Sequence, residues 1–238
     1  MAASGGLSET ASRALDAYGG AERWRAAQAV EASVSFSGLL FTIKLNRPPR
    51  RLAVRCELDR PYARLEPLDR KGTAGVLDGQ DVRLEDAGGK VLEERSDARS
   101  LFPGGRRRIR WDTLDQTYFM GYVCWNYLAL PAHLLRDDFG WKELEPGVLD
   151  ANPERHLPVH SYVERYYFDA ETGLQTRLDF TVDLMSPHAA AASRVKSHAT
   201  NGIPYVSHHR VTPRKGPEGD PLPLPTMVNV RVSDWKLI

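Results

Sequence analysis

Residues 112–128 read DTLDQTYFMGYVCWNYL. Asp112 predicts an N-cap, and Asp115 takes the third helical position, where a carboxylate meets the positive end of the helix dipole. From Leu114 through Tyr118, Phe119, Tyr122, Val123, Trp125, Tyr127 and Leu128 the side chains are apolar or aromatic on nearly every side. A helix of that kind is buried all round rather than along one stripe. What buries it must come from the flanking sequence, and there the hydrophobic period changes from helical to the alternation of strands.

Upstream, Val30, Ala32, Val34, Phe36 and Leu40 are spaced by Glu31, Ser33, Ser35 and Ser37, which reads as a half-buried strand. Phe41, Ile43 and Leu45 continue in the opposite phase, so a bulge or turn is expected near Gly38 to Leu40 before Pro48-Pro49 ends the strand. Leu52, Val54, Cys56 and Leu58 make the next strand, and shorter pieces follow at 63–66 and 75–77. Asp78-Gly79 and Gly88-Gly89 are hairpin turn signals flanking Val82 and Leu84, with Val91 and Leu92 starting the return. Ahead of this meander, Ser8 caps a helix carrying Ala11, Ala14, Leu15 and Tyr18 that Gly19-Gly20 stops, and a second short helix at 21–28 carries Trp24.

Downstream, Pro131 ends the buried helix or opens a short successor with Leu134 and Leu135. The β pattern resumes after Trp141, with one hairpin from 160–169 and 174–184 and a second from 193–199 and 205–212 at the Asn201-Gly202 turn. Residues 213–225 form a proline-spaced surface loop, and Val228, Val230 and Val232 mark the last strand. About ten strands interrupted once by a helical pair predict a mainly β (α+β) domain spanning residues 1–238. Its form is a strongly curved antiparallel sheet, an unclosed barrel, with helices on the concave side. Helices that only partly fill the concavity leave an apolar cavity.

The totals narrow the function classes. Hydrophobic residues are 42%, charged residues 26% and the net charge +1, so no overall field favours nucleic acid or an anionic membrane. Cys56 and Cys124 have no metal-ligand spacing and sit among apolar residues, which predicts core packing and suits a reducing compartment. No run approaches the roughly 20 apolar residues of a membrane span. Met1 to Glu9 lacks the pattern of a secretory signal, and a cytoplasmic location is expected.

The helix followed by Tyr18-Gly19-Gly20-Ala21-Glu22-Arg23-Trp24 and a serine-rich alternating strand resembles the start of proteins with the LolA/LolB lipoprotein-carrier fold. The central helical insertion, the FDAETGL hairpin (Phe168 to Leu174) and the stretch YFMGYVCWNYL (Tyr118 to Leu128) also look like bacterial proteins of this architecture. The resemblance implies an incomplete barrel holding an acyl chain or another hydrophobic ligand beneath a helical lid. The carriers work outside the cytoplasm, behind an export signal or lipid anchor that this chain does not show. The fold therefore carries over more readily than the trafficking role.

Candidate chemistry concentrates in the second half of the chain. Five of the seven histidines fall between His156 and His209. On a strand from 160 to 168, His160, Tyr162, Glu164, Tyr166 and Phe168 share one face, mixing aromatic bulk with ionisable groups. His160, Glu164, Asp179, His198, His208 and Arg210 are the candidates for acid–base work, because a histidine near a carboxylate moves protons at neutral pH. Tyr118, Tyr122, Trp125, Asn126, Tyr162 and Tyr166 are the candidates for ligand contacts. His156-x3-His160 is interrupted by Pro158, and Ser186-Pro187-His188 lacks the strand–turn–helix context of a nucleophile elbow. Arg106-Arg107-Arg108 with Arg110 reads as a solvated loop or the rim of an anionic subsite rather than a nucleic-acid patch. No cofactor or metal is implied. The leading expectation is binding of a hydrophobic small molecule or acyl chain; the alternative is a cofactor-independent isomerase, cyclase or hydrolase in the same cavity. Oligomeric state leaves no signal.

Overall fold

The computed structural model describes residues 7–102, 104–186 and 188–238. Most of the Met1 to Glu9 segment, Pro103 of the arginine loop and Pro187 of the Ser186-Pro187-His188 stretch lie outside the described residues. The chain opens with helices α1 (Glu9–Ala17) and α2 (Ala21–Ala26), then β1 (Ala29–Ser37) and the short helix α3 (Leu39–Ile43). Strands β2 (Leu52–Glu57), β3 (Tyr62–Glu66), β4 (Ala74–Asp78), β5 (Asp81–Glu85) and β6 (Val91–Arg95) form a meander. The long helix α4 (Thr113–Leu128) and its continuation α5 (Leu130–His133) follow. Seven more strands complete the described chain: β7 (Lys142–Glu145), β8 (Val148–Ala151), β9 (Glu164–Phe168), β10 (Gln175–Thr181), β11 (Ala190–Thr200), β12 (Pro204–Pro213) and β13 (Val228–Leu237).

All the strands belong to one antiparallel sheet in the order β6-β5-β4-β3-β2-β1-β13-β12-β11-β10-β9-β8-β7. The first and last strands of the chain, β1 and β13, therefore pair in the middle, with Val34 opposite Val232 and Phe36 opposite Val230. β6 and β7 are left as unpaired edges, so the barrel is not closed. The predicted fold class holds, with thirteen strands instead of about ten.

Local chemistry sets the element ends. The Ser8 side chain accepts from Ala11 N and starts α1. Asp112 and Asp115 form a reciprocal capping box at the head of α4. Asp115 is fully buried and takes Arg95 Nη1 at 2.7 Å, Arg106 Nη1 at 2.8 Å and Arg107 Nε at 2.6 Å. Arg106 and Arg107, read from sequence as part of a solvated loop, thus clamp the N-terminus of the central helix.

Three differences from the sequence reading have physical causes. The phase change after Gly38 is not a bulge in a continuing strand. Gly38 has φ +125°, and a Cβ there would sit 2.4 Å from the Met227 carbonyl oxygen, so the chain turns off the sheet into α3. The strand expected from His160 begins only at Glu164, because residues 160–163 cross the open side of the sheet as irregular chain. The β7–β8 hairpin went unread because Lys142, Glu143, Leu144 and Glu145 form a mostly exposed edge strand without apolar alternation.

Helix α4 lies against β2 to β5, and two glycines set the distance. Gly75 on β4 meets the Thr117 side chain, where an added Cβ would be 2.7 Å from Oγ1. Gly121 on α4 meets Leu77, where an added Cβ would be 2.8 Å from the Leu77 Cβ. Cys56 and Cys124 are both buried and free in this packing. The Trp125 indole donates to the Glu57 carbonyl at 3.0 Å, tying the helix to the end of β2. A helix drawn this closely to one half of the curved sheet stands off from the other half.

Candidate functional site

The gap lies between α4 and strands β10 to β13. It is a cavity of about 320 Å³, the lower end of the range for small-molecule sites. Phe119, Tyr122, Val123 and Tyr127 face it from α4, and His160 and Phe180 close it on one side. Ala191, Val211 and Val228 supply its wall from β11, β12 and β13. These residues are buried, whereas Met185, His188, Arg214 and Met227 at the rim are half-buried or exposed. Charge at the rim is restrained, because Arg214 Nη2 lies 3.3 Å from Asp179 and Arg214 Nε donates to the Gly219 carbonyl.

His160 and Glu164 meet as predicted, but by a route the alternation did not give. Glu164 is fully buried at the start of β9. Its Oε1 accepts the backbone N–H of His160 at 2.9 Å and of Ser161 at 3.2 Å, and its Oε2 accepts the Tyr166 hydroxyl at 2.7 Å. The carboxylate thereby pins the irregular 160–163 segment. His160 Nδ1 lies 3.4 Å from Glu164 Oε1, short of a made hydrogen bond, and neither imidazole nitrogen has a hydrogen-bond partner. The ring is held by aromatic contact, with centroids 4.2 Å from Phe180, 5.2 Å from Tyr122 and 5.3 Å from Tyr127.

Among the predicted residues, Tyr122 and His160 line the cavity. Tyr118 is buried away from it and donates to Gln80 Oε1 at 2.5 Å. Trp125 packs on His133 with centroids 4.2 Å apart, and Asn126 Nδ2 donates to the Tyr122 and Pro158 carbonyls. Tyr166 packs edge-on against Trp141, behind Glu164. Tyr162 and Asp179 line a second, polar groove of about 340 Å³, together with Asp150, Arg155 and Arg165. There Tyr162 lies beneath Arg99 and Arg155, and Asp179 is gripped by Arg177 at 2.6 Å and Arg214.

The remaining candidates leave the cavity altogether. His208 Nε2 bonds Asn229 Oδ1 at 2.6 Å, and Arg210 holds the proline-rich loop through Thr226 and the Pro223 carbonyl. His198 is seven residues along β11 from Ala191, about 23 Å at 3.3 Å per residue. On β12 the inward histidine is His209, which alternation put on the face opposite His208. It is 1% exposed, stacks on Tyr127 at 3.9 Å and meets Ser193 Oγ at 3.2 Å. Irregular register in β11 between Val195 and His198 shifts the pairing there, so Val206 and His209 are both buried although their spacing is odd. The valines at 211, 228 and 230 identify the inner face correctly, but only once the strands are paired. Burial pushes the His209 imidazole down to about 3, so it stays neutral.

No protein-family model matches the chain, and no curated protein matches it in sequence. Among solved structures it is similar to a LolA superfamily protein from Nitrosomonas europaea, with 11% identity and a TM-score of 0.52 over 98% of this chain and 94% of that one. A putative outer membrane lipoprotein-sorting protein domain from Vibrio parahaemolyticus matches at 10% identity and a TM-score of 0.44, over 96% and 91% of the two chains. A DUF1329 family protein from Desulfovibrio piger matches at 11% identity and a TM-score of 0.42, with the same coverage. The first of these carries the assignment, which is one of fold: the chain has a LolA-like unclosed barrel.

Proposed function

We propose that this LolA-like fold binds a hydrophobic small molecule or a single acyl chain between α4 and strands β10 to β13. The observation that carries the reading is the distribution of polarity along the cavity. Its depth is built from aromatic and branched apolar side chains, and its charged residues, His188 and Arg214, stand at the rim. That is the pattern of a site that takes an apolar body out of water and leaves the opening wet. At about 30 Å³ per heavy atom, the volume suits roughly ten heavy atoms within the cavity, with any longer tail passing the rim. A bulky multi-chain lipid does not fit without movement of α4.

The acid–base alternative draws on the buried His160–Glu164 pair. Both Glu164 oxygens are already engaged by donors, however, and the other candidate groups are dispersed. A general base needs a free lone pair within reach of a reacting proton, so the binding reading is preferred.

Toluene, an apolar probe without an O–H group, tests it. In a two-dimensional NMR titration, toluene should shift the amides of Ala191, Val211 and Val228 in a saturable manner. Ala191→Phe, which fills the cavity from β11, should weaken that binding at least tenfold with unchanged circular dichroism. Shifts scattered over the surface, or equal affinity in the variant, would contradict the proposal.

A further inference from the structure

The cavity is apolar except at one place in its depth, and there two polar groups stand without partners. The Tyr122 hydroxyl is fully buried and has no hydrogen-bond partner. His160 is 3% exposed, and its Nε2 has none either. The two rings meet edge-on with centroids 5.2 Å apart, and both residues line the cavity. An orphaned buried hydroxyl or imidazole nitrogen costs free energy, and the fold keeps two of them together where every neighbour is apolar. Their surroundings give them no internal partner to turn to: Phe180 and Tyr127 cover His160, and Phe119 lies against Tyr122.

We propose that Tyr122 and His160 form an inner subsite for an O–H group at the buried end of the hydrophobic ligand, an alcohol or an un-ionised carboxylic acid. The inference rests on the binding reading above and specifies its ligand class. His160 Nδ1 faces Glu164, so a proton on Nδ1 points towards a carboxylate and leaves Nε2 as an acceptor. Burial holds the Tyr122 phenol well above its ordinary range, so it remains a donor. A ligand O–H can then donate to Nε2 and accept from Tyr122, which satisfies both orphans at once. An ether satisfies only Tyr122, and an alkane satisfies neither. The ligand enters with its polar end first, and its apolar body lies along Val211, Val228 and the rim methionines.

Calorimetric titration of the full chain with 1-octanol, octanoic acid and heptyl methyl ether tests the subsite. The alcohol and the ether have the same number of heavy atoms and differ in the donor. Native protein should prefer 1-octanol to the ether by about tenfold, the worth of one buried hydrogen bond. Tyr122→Phe and His160→Phe should each lose most of that preference while keeping the ether's affinity. Octanoic acid matching 1-octanol at low pH and weakening as it ionises would assign both sources of the O–H group; acid and alcohol diverging at low pH would assign the tighter of the two. Tyr122→Phe should also raise the melting temperature of the empty protein, because it removes an unpaired hydroxyl; a merely structural tyrosine would lower it. Equal binding of alcohol and ether by native protein would overturn the subsite, and toluene binding in that case would leave the cavity reading standing. If toluene, alcohol and ether all fail to bind, both readings fall.

Discussion

Two buried histidines make the stability of this protein depend steeply on pH. His209 is enclosed between Tyr127 and Ser193, and burial lowers its pKa from 6.5 to about 3, with the histidines His160, His198 and His208 adding to the shift. His133, stacked between Trp125 and Phe139, is held well below its usual range, first by burial and then by Arg136. In the unfolded chain both titrate near 6.5. The folded state therefore binds fewer protons below that pH, and stability is full above 6.5 and lost as pH falls towards the folded value. Integrating one site from pH 7.5 to pH 5.0 gives about 2 kcal/mol for His209, and His133 adds a comparable amount. A total of about 4 kcal/mol is a large part of the 5–15 kcal/mol typical of a folded domain. Urea unfolding of native protein and His209→Phe at several pH values between 7.5 and 5.0 measures the term. Phenylalanine keeps the stack on Tyr127, so the variant should lose about half of the pH dependence, with a slope about 1.4 kcal/mol per pH unit shallower near pH 5. Parallel stability profiles for the two proteins would refute the assignment of His209 as a buried neutral base.

Other consequences of the packing are equally measurable. Asp115→Ala removes the carboxylate shared by Arg95, Arg106 and Arg107 and should cost about 3 kcal/mol in urea unfolding. Gly121→Ala pushes a methyl group into Leu77; it should destabilise by about 1–2 kcal/mol although alanine is the better helix former. Removing Val228–Leu237 takes out the strand that joins the two halves of the sheet, and the truncated chain should show no cooperative thermal transition. His208→Ala, His198→Ala and Arg210→Ala should leave toluene binding within about twofold of native, because none of them reaches the cavity; a loss of tenfold or more in any one would place it in the site.

The sequence was most informative where burial is total. The helix from Thr113 to Leu128 and the capping pair Asp112 and Asp115 could be read directly, because no other structure hides so continuous an apolar surface or uses carboxylates at that spacing. The alternation at Val30 to Phe36 and the turn dipeptides located the meander for the same reason. The site was harder to read because it depends on relations between distant segments. His160 met Glu164, but from irregular chain anchored by a carboxylate, not from successive pleats of one strand. His208 was preferred to His209 because strict alternation grouped it with Arg210, and the irregular register beside Val195 moved the inner face by one residue. The position of the cavity follows from where α4 sits across the sheet. Gly75 and Gly121 carry that information, since an isolated glycine inside a strand or helix marks close backbone approach, but the partner each approaches is visible only in three dimensions. Tyr122 was legible as part of an aromatic helix and not as an orphaned hydroxyl, which is a property of its neighbours.

The central claim is that the space between α4 and strands β10 to β13 holds a hydrophobic ligand. Native mass spectrometry of freshly purified protein, followed by solvent extraction and identification of what is released, tests it most directly. The account predicts an adduct of one hydrophobic molecule per chain, carrying a terminal alcohol or carboxylic acid, that is absent from Ala191→Phe prepared in parallel. The same adduct on both proteins, or a released molecule that is uniformly polar, would contradict it.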